Sequence, residues 1–438
     1  MSTELEVRLG RQHCGHLVET APRQWSFIYA DDYRGNPDAL PVSLALPRTR
    51  AVHGGATVHA VFSALLPDGS LRERLARSLG FSSGNDFALL GRVGHECHGA
   101  LALAWPGETL RPMPSPRALD PAELRNAVAA LLVNPLLAEA DGLSKTLPGE
   151  FDKLPVRVAD GEVSIVFGEE STTHVIKPAR PGLRESVANE GFCMALAEAW
   201  GLPVAASEVL QGQLSLLAVR RVDRTPDGSA RLHMEDCCQA LGIAPAYKYE
   251  REGGPRLADI ARLLRRASVQ PALDLRALVR WVVFGFLIGA GAGHARQLAL
   301  LYGPRGPSLA PFFGLWSTHV YPEMSFRLGF RVGTEDRPDW LTAARWREAA
   351  VDLGVRPRYL LDELRAAAAA LPGLALEVGE AFQKRYGYAD IIRSIRRLVE
   401  QRARQSLVSL EAERISDEIA VPAAIEAAAT GANSDEQP

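Results

Sequence analysis

Lys177 closes the apolar run Val175-Ile176, a position from which an ammonium can snorkel into a neighbouring cleft and hold an anion; an ordinary surface lysine at a strand end is the alternative. Residues 146–153 read TLPGEFDK, in which Gly149 would let the backbone approach a phosphate closely, or would simply form a Pro-Gly turn entering a strand. His95, Cys97 and His98 have the residue types of a metal cluster, but residues 94–99 read as a tight turn, so no ligand set is expected there. The five cysteines, with Cys237 and Cys238 adjacent, show neither a paired framework nor a C-x-x-C spacing, and reduced core thiols are expected. The arginines within 262–266 and 393–404 alternate with Leu and Ile, the pattern of solvated helix faces, with a partner or DNA-backbone contact as the lesser reading.

These groups need a scaffold, and the chain has the material for one. With 438 residues and 47% hydrophobic content it can build two or three cores. Lys+Arg 49 against Asp+Glu 52 gives a net charge of -3, which argues against a whole-chain electrostatic grip on nucleic acid or an anionic membrane. The most apolar stretch, 281–293, is too short to span a bilayer, and the first ten residues carry acids with no apolar run. A cytoplasmic protein with no membrane association is expected.

The periodicities predict an α+β chain. Residues 1–110 form a small α+β subdomain, with strands over 5–9, 25–29 and 41–46 and a helix over 70–80. Residues 111–140 are a linker and helix, entered from the proline-rich 106–117 and helical over 121–138. A β-rich lobe occupies 141–235, with strands at 154–158, 163–167 and 174–176, an embedded helix at 185–200 and two short strands within 210–221. Residues 236–416 read as an all-helical lobe, and 417–438 as a disordered tail.

A β-rich lobe with one embedded helix followed by a helical lobe is the layout of protein kinases, and motifs make it specific. LLPDG at 65–69, Asp86 with Leu89-Leu90, GHECHGAL at 94–101, THVIKP at 173–178, NEGFCMALAEAWGLPV at 189–204, RRVDR at 220–224, HMEDCCQALG at 233–242, YEREGGP at 249–255 and LIGAGAGHARQ at 287–297 occur in one order. In that order they resemble the HipA family of bacterial toxin–antitoxin serine/threonine kinases, over nearly the whole chain to about residue 400. The resemblance implies a HipA-like kinase fold behind an N-terminal subdomain. It also implies a kinase toxin that phosphorylates a translation factor such as an aminoacyl-tRNA synthetase. Its partner would be a helix-turn-helix antitoxin or a related HipA-type protein, with DNA reached only through that partner.

By the same resemblance Lys177 is the phosphate-holding lysine, and Glu190, on the embedded helix, is the carboxylate that orients it. Thr146 takes the place of an autophosphorylated serine in a phosphate-covering loop, in which Gly149 approaches the nucleotide and Phe151 replaces a glutamine. Arg220 stands where the family has a glutamate, beside hinge residues Leu217, Ala218 and Val219 whose backbone could meet a purine; His294 packs in the catalytic loop. That loop reads approximately T-D-G-H-A-K-N in the family and Gly291-Ala292-Gly293-His294-Ala295-Arg296-Gln297 here. Ala292 therefore occupies the place of the catalytic aspartate, and Gln297 and Gly314 those of the two metal ligands. Glu235 and Asp236 are the candidate replacement acids, and the resemblance implies a structural role for that pair. The reading is a pseudokinase with no catalytic or metal-ligating residue assigned, ATP an open question and Mg²⁺ not expected. An active kinase with a rearranged metal site, and a corepressor bound to its antitoxin, are the alternatives.

Overall fold

In the first strand of the computed structural model, β1 (Thr3–Leu9), Leu5 and Val7 are buried while Glu4 and Arg8 face solvent, the alternation of a sheet with one wet face. The structure describes residues 3–108, 115–140, 143–168, 170–212 and 214–431, with side chains through 413. After β1 come β2 (Gln12–Ala21), β3 (Gln24–Tyr29), α1 (Asp31–Gly35), β4 (Val52–Gly54), α2 (Ala56–Ser63), α3 (Gly69–Ser78), α4 (Asp86–Val93) and β5 (Leu101–Ala104). The strands form an antiparallel sheet in the order β4-β3-β2-β1-β5, over a core of its own that includes Trp25, Phe27, Phe62 and Phe87. Residues 41–46, read above as a strand, form a tight turn in which Leu46 N donates to Ser43 O at 3.0 Å. Prolines 41 and 47 bracket it, and Glu235 from the far lobe captures Ser43 Oγ and Leu44 N.

The second unit comprises β6 (Arg117–Ala118), α5 (Pro121–Ala130), β7 (Leu154–Ala159), β8 (Glu162–Ile165), β9 (His174–Pro178), α6 (Ser186–Ala199), β10 (Ser207–Leu210) and β11 (Leu216–Arg220). Its six-stranded sheet runs β10-β11-β9-β7-β8-β6, antiparallel throughout. Asp120 and Glu123 close a capping box on α5, which ends at Ala130, short of the expected 138, and Leu136 then turns left-handed. Most of the proline-rich entry, 109–114, lies outside the described residues. Helix α6 is buried almost all round, with Val187, Phe192, Met194 and Leu196 inside, because it lies between the sheet and the helices of the next lobe.

That lobe holds β12 (Met234–Asp236), α7 (Cys237–Leu241), α8 (Leu257–Ala267), α9 (Pro271–Ile288), β13 (Ala299–Gly303), β14 (Gly306–Leu309), α10 (Ala343–Leu353), α11 (Pro357–Tyr386) and α12 (Asp390–Gly431). Helices dominate it, with one addition to the expected all-helical pattern: β12, β13 and β14 form a small sheet beside the cleft. The α12 backbone continues to Gly431, so residues 417–431, read as the start of a disordered tail, are helical, in keeping with their Ala and Glu content. Residues 432–438 lie outside the described residues. No helix among the described residues is long and apolar enough to cross a membrane.

A buried carboxylate, Glu96, is one of the links that pin the N-terminal subdomain to the kinase-like lobes. Glu96 accepts from Lys145 Nζ (2.7 Å), Thr172 Oγ1 (2.6 Å), Arg221 Nη1 (2.8 Å) and Arg224 Nη2 (2.5 Å). Burial opposes its charge, but these three cations hold the carboxyl well below the usual range. Asp223 completes the network, accepting from Arg221 and from Gly99 N, each at 2.7 Å. Removing one side of such a network strands the other, at a cost of about 3–5 kcal/mol. Glu96→Gln is expected to lower unfolding stability by that order, read from the midpoint of urea denaturation, whereas substitution of the exposed Glu4 changes it little.

Candidate functional site

Beneath β9 and β11 lies a cleft of about 230 Å³, bounded by both lobes and by the N-terminal subdomain through Asp68. Val175, Val219, Met234 and Phe313 supply an apolar wall, and Lys153, Lys177, Lys248, Arg296, Asp68 and Asp236 a charged one. The elements dictate this. Alternation in β9 points Val175 and Lys177 to the same face, and the register pairs Val175 with Val219 of β11.

Lys177 Nζ meets Glu190 Oε1 at 2.5 Å, bringing together the strand lysine and helix acid that the sequence nominated. Burial of Glu190 on α6 opposes its ionisation, but Lys177 and then Arg180 hold its pKa below the usual value. Arg180 donates to Glu190 Oε2 and lies against two rings that themselves meet edge to face, its guanidinium carbon 4.1 Å from the Trp316 ring centroid and 4.8 Å from that of Phe151. Phe151 thus packs against Arg180 rather than presenting a polar group to the cleft.

Gly149 lines the cleft at φ +113°, a conformation that glycine adopts readily. A Cβ there would lie 2.6 Å from Lys153 Nζ, which is folded against this loop and donates to Pro148 O. Thr146 is placed elsewhere: it is fully buried, its Oγ1 donating to Leu65 O at 3.0 Å, and does not line the cleft. Val219 sits mid-ladder between Val175 and Ser207, as Leu217 and Ala218 do between their own partners, so β11 spends its backbone groups on the sheet and offers the cleft the Val219 side chain. Arg220 turns toward the Pro226 carbonyl.

On the opposite floor, Ala292 follows α9 in a tightly packed loop. A Cβ on neighbouring Gly291 would come within 2.8 Å of Thr318, His319 and Arg327 atoms. Ala292, Gln297 and Gly314 all line the cleft, and a side chain on Gly314 would project toward the Gln297 amide, whose Nε2 is 3.9 Å from the Cβ position. The three substituted positions therefore face one volume. His294 is half-buried beside Tyr249, with ring centroids 5.0 Å apart. Burial, then the charges of Lys248 and Arg296, push its pKa well below the usual value and keep the imidazole neutral.

Arg296 organises this floor. It donates to Asp236 Oδ2 (2.9 Å), Asp68 Oδ1 (2.5 Å) and Ala64 O (2.6 Å). Lys248 also reaches Asp68, at 3.1 Å, and Glu150 at 2.6 Å. Despite burial, Arg296 and Lys248 hold the Asp68 carboxyl below its usual pKa. Asp236 additionally caps α7 through Gln239 N. Among the described residues no three His, Cys, Asp or Glu side chains converge as a metal cluster. His95 pairs with Glu108 at 3.2 Å and Cys97 donates to Gly94 O, so the 95–98 group is dispersed.

Sequence reasoning left Asp68, Lys153, Arg180, Lys248 and Trp316 out of the site. Asp68 lay within LLPDG, and Lys153 ends TLPGEFDK, so both carried a motif signal. Arg180, Lys248 and Trp316 have none beyond residue type, since the fold alone brings them to the cleft.

A strand lysine paired with a helix carboxylate above a helical lobe defines a protein-kinase-like fold. Residues 5–104 match the HipA N-terminal domain and 146–375 the HipA-like C-terminal domain, and the chain belongs to the HipA family. It is 36% identical over 350 residues to the "Putative kinase Y4mE" of Sinorhizobium fredii, covering 78% of this chain and 83% of that one. To the "Serine/threonine-protein kinase toxin HipA" of Shewanella oneidensis it is 26% identical over 392 residues, 85% and 89% of the two chains. A solved structure of a Shewanella oneidensis HipA, HipB and operator DNA complex shares the fold, with a TM-score of 0.79 at 23% identity, covering 93% of this chain and 98% of that one.

Glu235, the other acid weighed as a metal ligand, points away from the cleft. It accepts from Ser43 Oγ (2.6 Å), Leu44 N (3.1 Å) and Tyr302 OH (2.5 Å), joining the N-terminal subdomain to the small sheet with no cation in attendance. Burial outweighs these hydrogen bonds and pushes its pKa up to about 7. A carboxyl whose folded pKa lies above its unfolded value stabilises most while protonated, so its contribution is lost as pH rises toward 7. Wild-type stability relative to Glu235→Gln is expected to fall between about pH 4.5 and pH 7, measured by chemical denaturation at each pH. Parallel stability profiles for the two proteins would contradict this.

Proposed function

We propose that this HipA-family chain is a pseudokinase that acts by binding, phosphoryl transfer having been lost. One observation carries the reading: the positions matching the family's catalytic aspartate and both metal ligands are Ala292, Gln297 and Gly314, and they face a common volume. A methyl group neither accepts a proton from an attacking hydroxyl nor orients it. Gln297 offers at most an amide oxygen and Gly314 no side chain, whereas magnesium is normally held by one or two carboxylates together with phosphates. The acids that do line the floor, Asp68 and Asp236, are engaged by Arg296 and Lys248. These residues do not fit the magnesium ions of an active kinase.

What remains is a surface for partners. The Shewanella oneidensis structure contains HipB and operator DNA with HipA. On that likeness we assign this chain a helix-turn-helix antitoxin as partner in a toxin–antitoxin type system of the cytoplasm, with DNA reached through it.

Labelled ATP incubated with the full chain and aminoacyl-tRNA synthetases, in Mg²⁺ or Mn²⁺, is expected to transfer no phosphate to either; transfer would overturn the assignment. The variant Ala292→Asp/Gln297→Asn/Gly314→Asp returns the acids to the floor, and aspartate tolerates the φ of +68° at position 314. It is expected to gain a Mg²⁺-dependent rise in thermal midpoint with ATP that the parent lacks.

A further inference from the structure

We propose that the cleft binds a nucleoside polyphosphate without a metal ion, with Lys153 and Lys177 supplying the positive charge that magnesium supplies in active kinases. The inference rests on the pseudokinase reading and names the ligand of that same cleft. The charges on the wall are unevenly matched. Lys177 shares Glu190 with Arg180, whereas Lys248 and Arg296 share Asp68 and each has a second carboxylate, Glu150 and Asp236 respectively. Among the described residues Lys153 has no carboxylate within ion-pair distance, and its Nζ donates to a backbone carbonyl, Pro148 O. Burial, and then the charge of Lys177, press its pKa down to about 7; Asp68 and Glu190 act weakly the other way and Arg296 with it. A phosphate oxyanion between the two lysines would remove that conflict.

The cleft also suits a base. Val175, Val219, Met234 and Phe313 form its apolar wall. Two buried imidazole atoms lining the same cleft, His98 Nε2 and His294 Nδ1, have no hydrogen-bond partner. Each such atom costs on the order of 1–3 kcal/mol unless something satisfies it. A flat apolar body with polar edges and a polyanionic tail meets all three features. Because the floor offers magnesium no free carboxylate, a metal ion would only weaken the attraction between phosphates and lysines.

Calorimetric titration of the full chain with ATP in EDTA at pH 8, in two buffers of different ionisation enthalpy, tests this. Saturable binding is expected, with uptake of roughly one proton as Lys153 recharges. Added Mg²⁺ should leave the affinity unchanged or weaker, and inorganic tripolyphosphate should bind more weakly than ATP or GTP. Lys153→Gln should bind ATP about tenfold or more weakly and lose the proton uptake. Should that variant misfold, the wild-type proton uptake and metal dependence still decide. Absence of binding in every condition would sink this inference and leave the pseudokinase reading standing. Binding only with Mg²⁺ sinks it as well, and phosphate transfer in that sample would sink both. Tripolyphosphate binding as tightly as ATP would remove the role given to the base.

Discussion

Arg296 is bonded at once to Asp68 of the N-terminal subdomain and to Asp236 at the start of the helical lobe, and the cleft's shape and chemistry both follow from that. A buried guanidinium needs fixed acceptors, and here it takes two carboxylates and the Ala64 carbonyl. The same bonds tie the edge of the cleft to its floor, so Asp68 becomes a wall residue of a site two lobes away in sequence. They also withdraw both acids from any metal. Stability and chemistry draw on one set of charges, and stability has taken them.

The same logic joins the units elsewhere. Glu96 binds Lys145, Arg221 and Arg224, and Glu235 binds Ser43, Leu44 and Tyr302, each from a different part of the chain. Their environments differ in sign. Three cations keep Glu96 ionised, whereas Glu235 has hydrogen-bond donors alone and is pushed toward its neutral form. Between these polar seams, α6 carries a continuous apolar core from the six-stranded sheet into α9, α11 and α12. The N-terminal subdomain keeps a core of its own and meets the rest through buried ion pairs, the Glu235 hydrogen bonds and the packing of Leu40 and Leu44 against the other core.

What could be read from sequence depended on how local its cause was. The alternation in β1 and β9 and the apolar α6 were legible, because their period lies within a few residues. Residues 41–46 had the composition of a strand, but Glu235, far along the chain, supplies the acceptors that hold them in a turn. Thr146 matched a loop position, yet it packs against Leu65 of another subdomain, which no local pattern reveals. Val219 was placed beside the cleft, but pairing on both sides of β11 left its side chain, not its backbone, to face it.

The two sides of the cleft are also mechanically linked. Phe151, where the resemblance places glutamine, and Trp316, just beyond Gly314, meet edge to face at 6.0 Å, and Arg180 lies against both rings while it donates to Glu190. Glu190 is thus divided between two cations, Lys177 and Arg180, and its charge is not given to the strand lysine alone. Two cations on the upper wall share Glu190, while Arg296 and Lys248 hold the acids of the floor. On the reading proposed above, a cleft with this balance of charge holds a phosphate without transferring it.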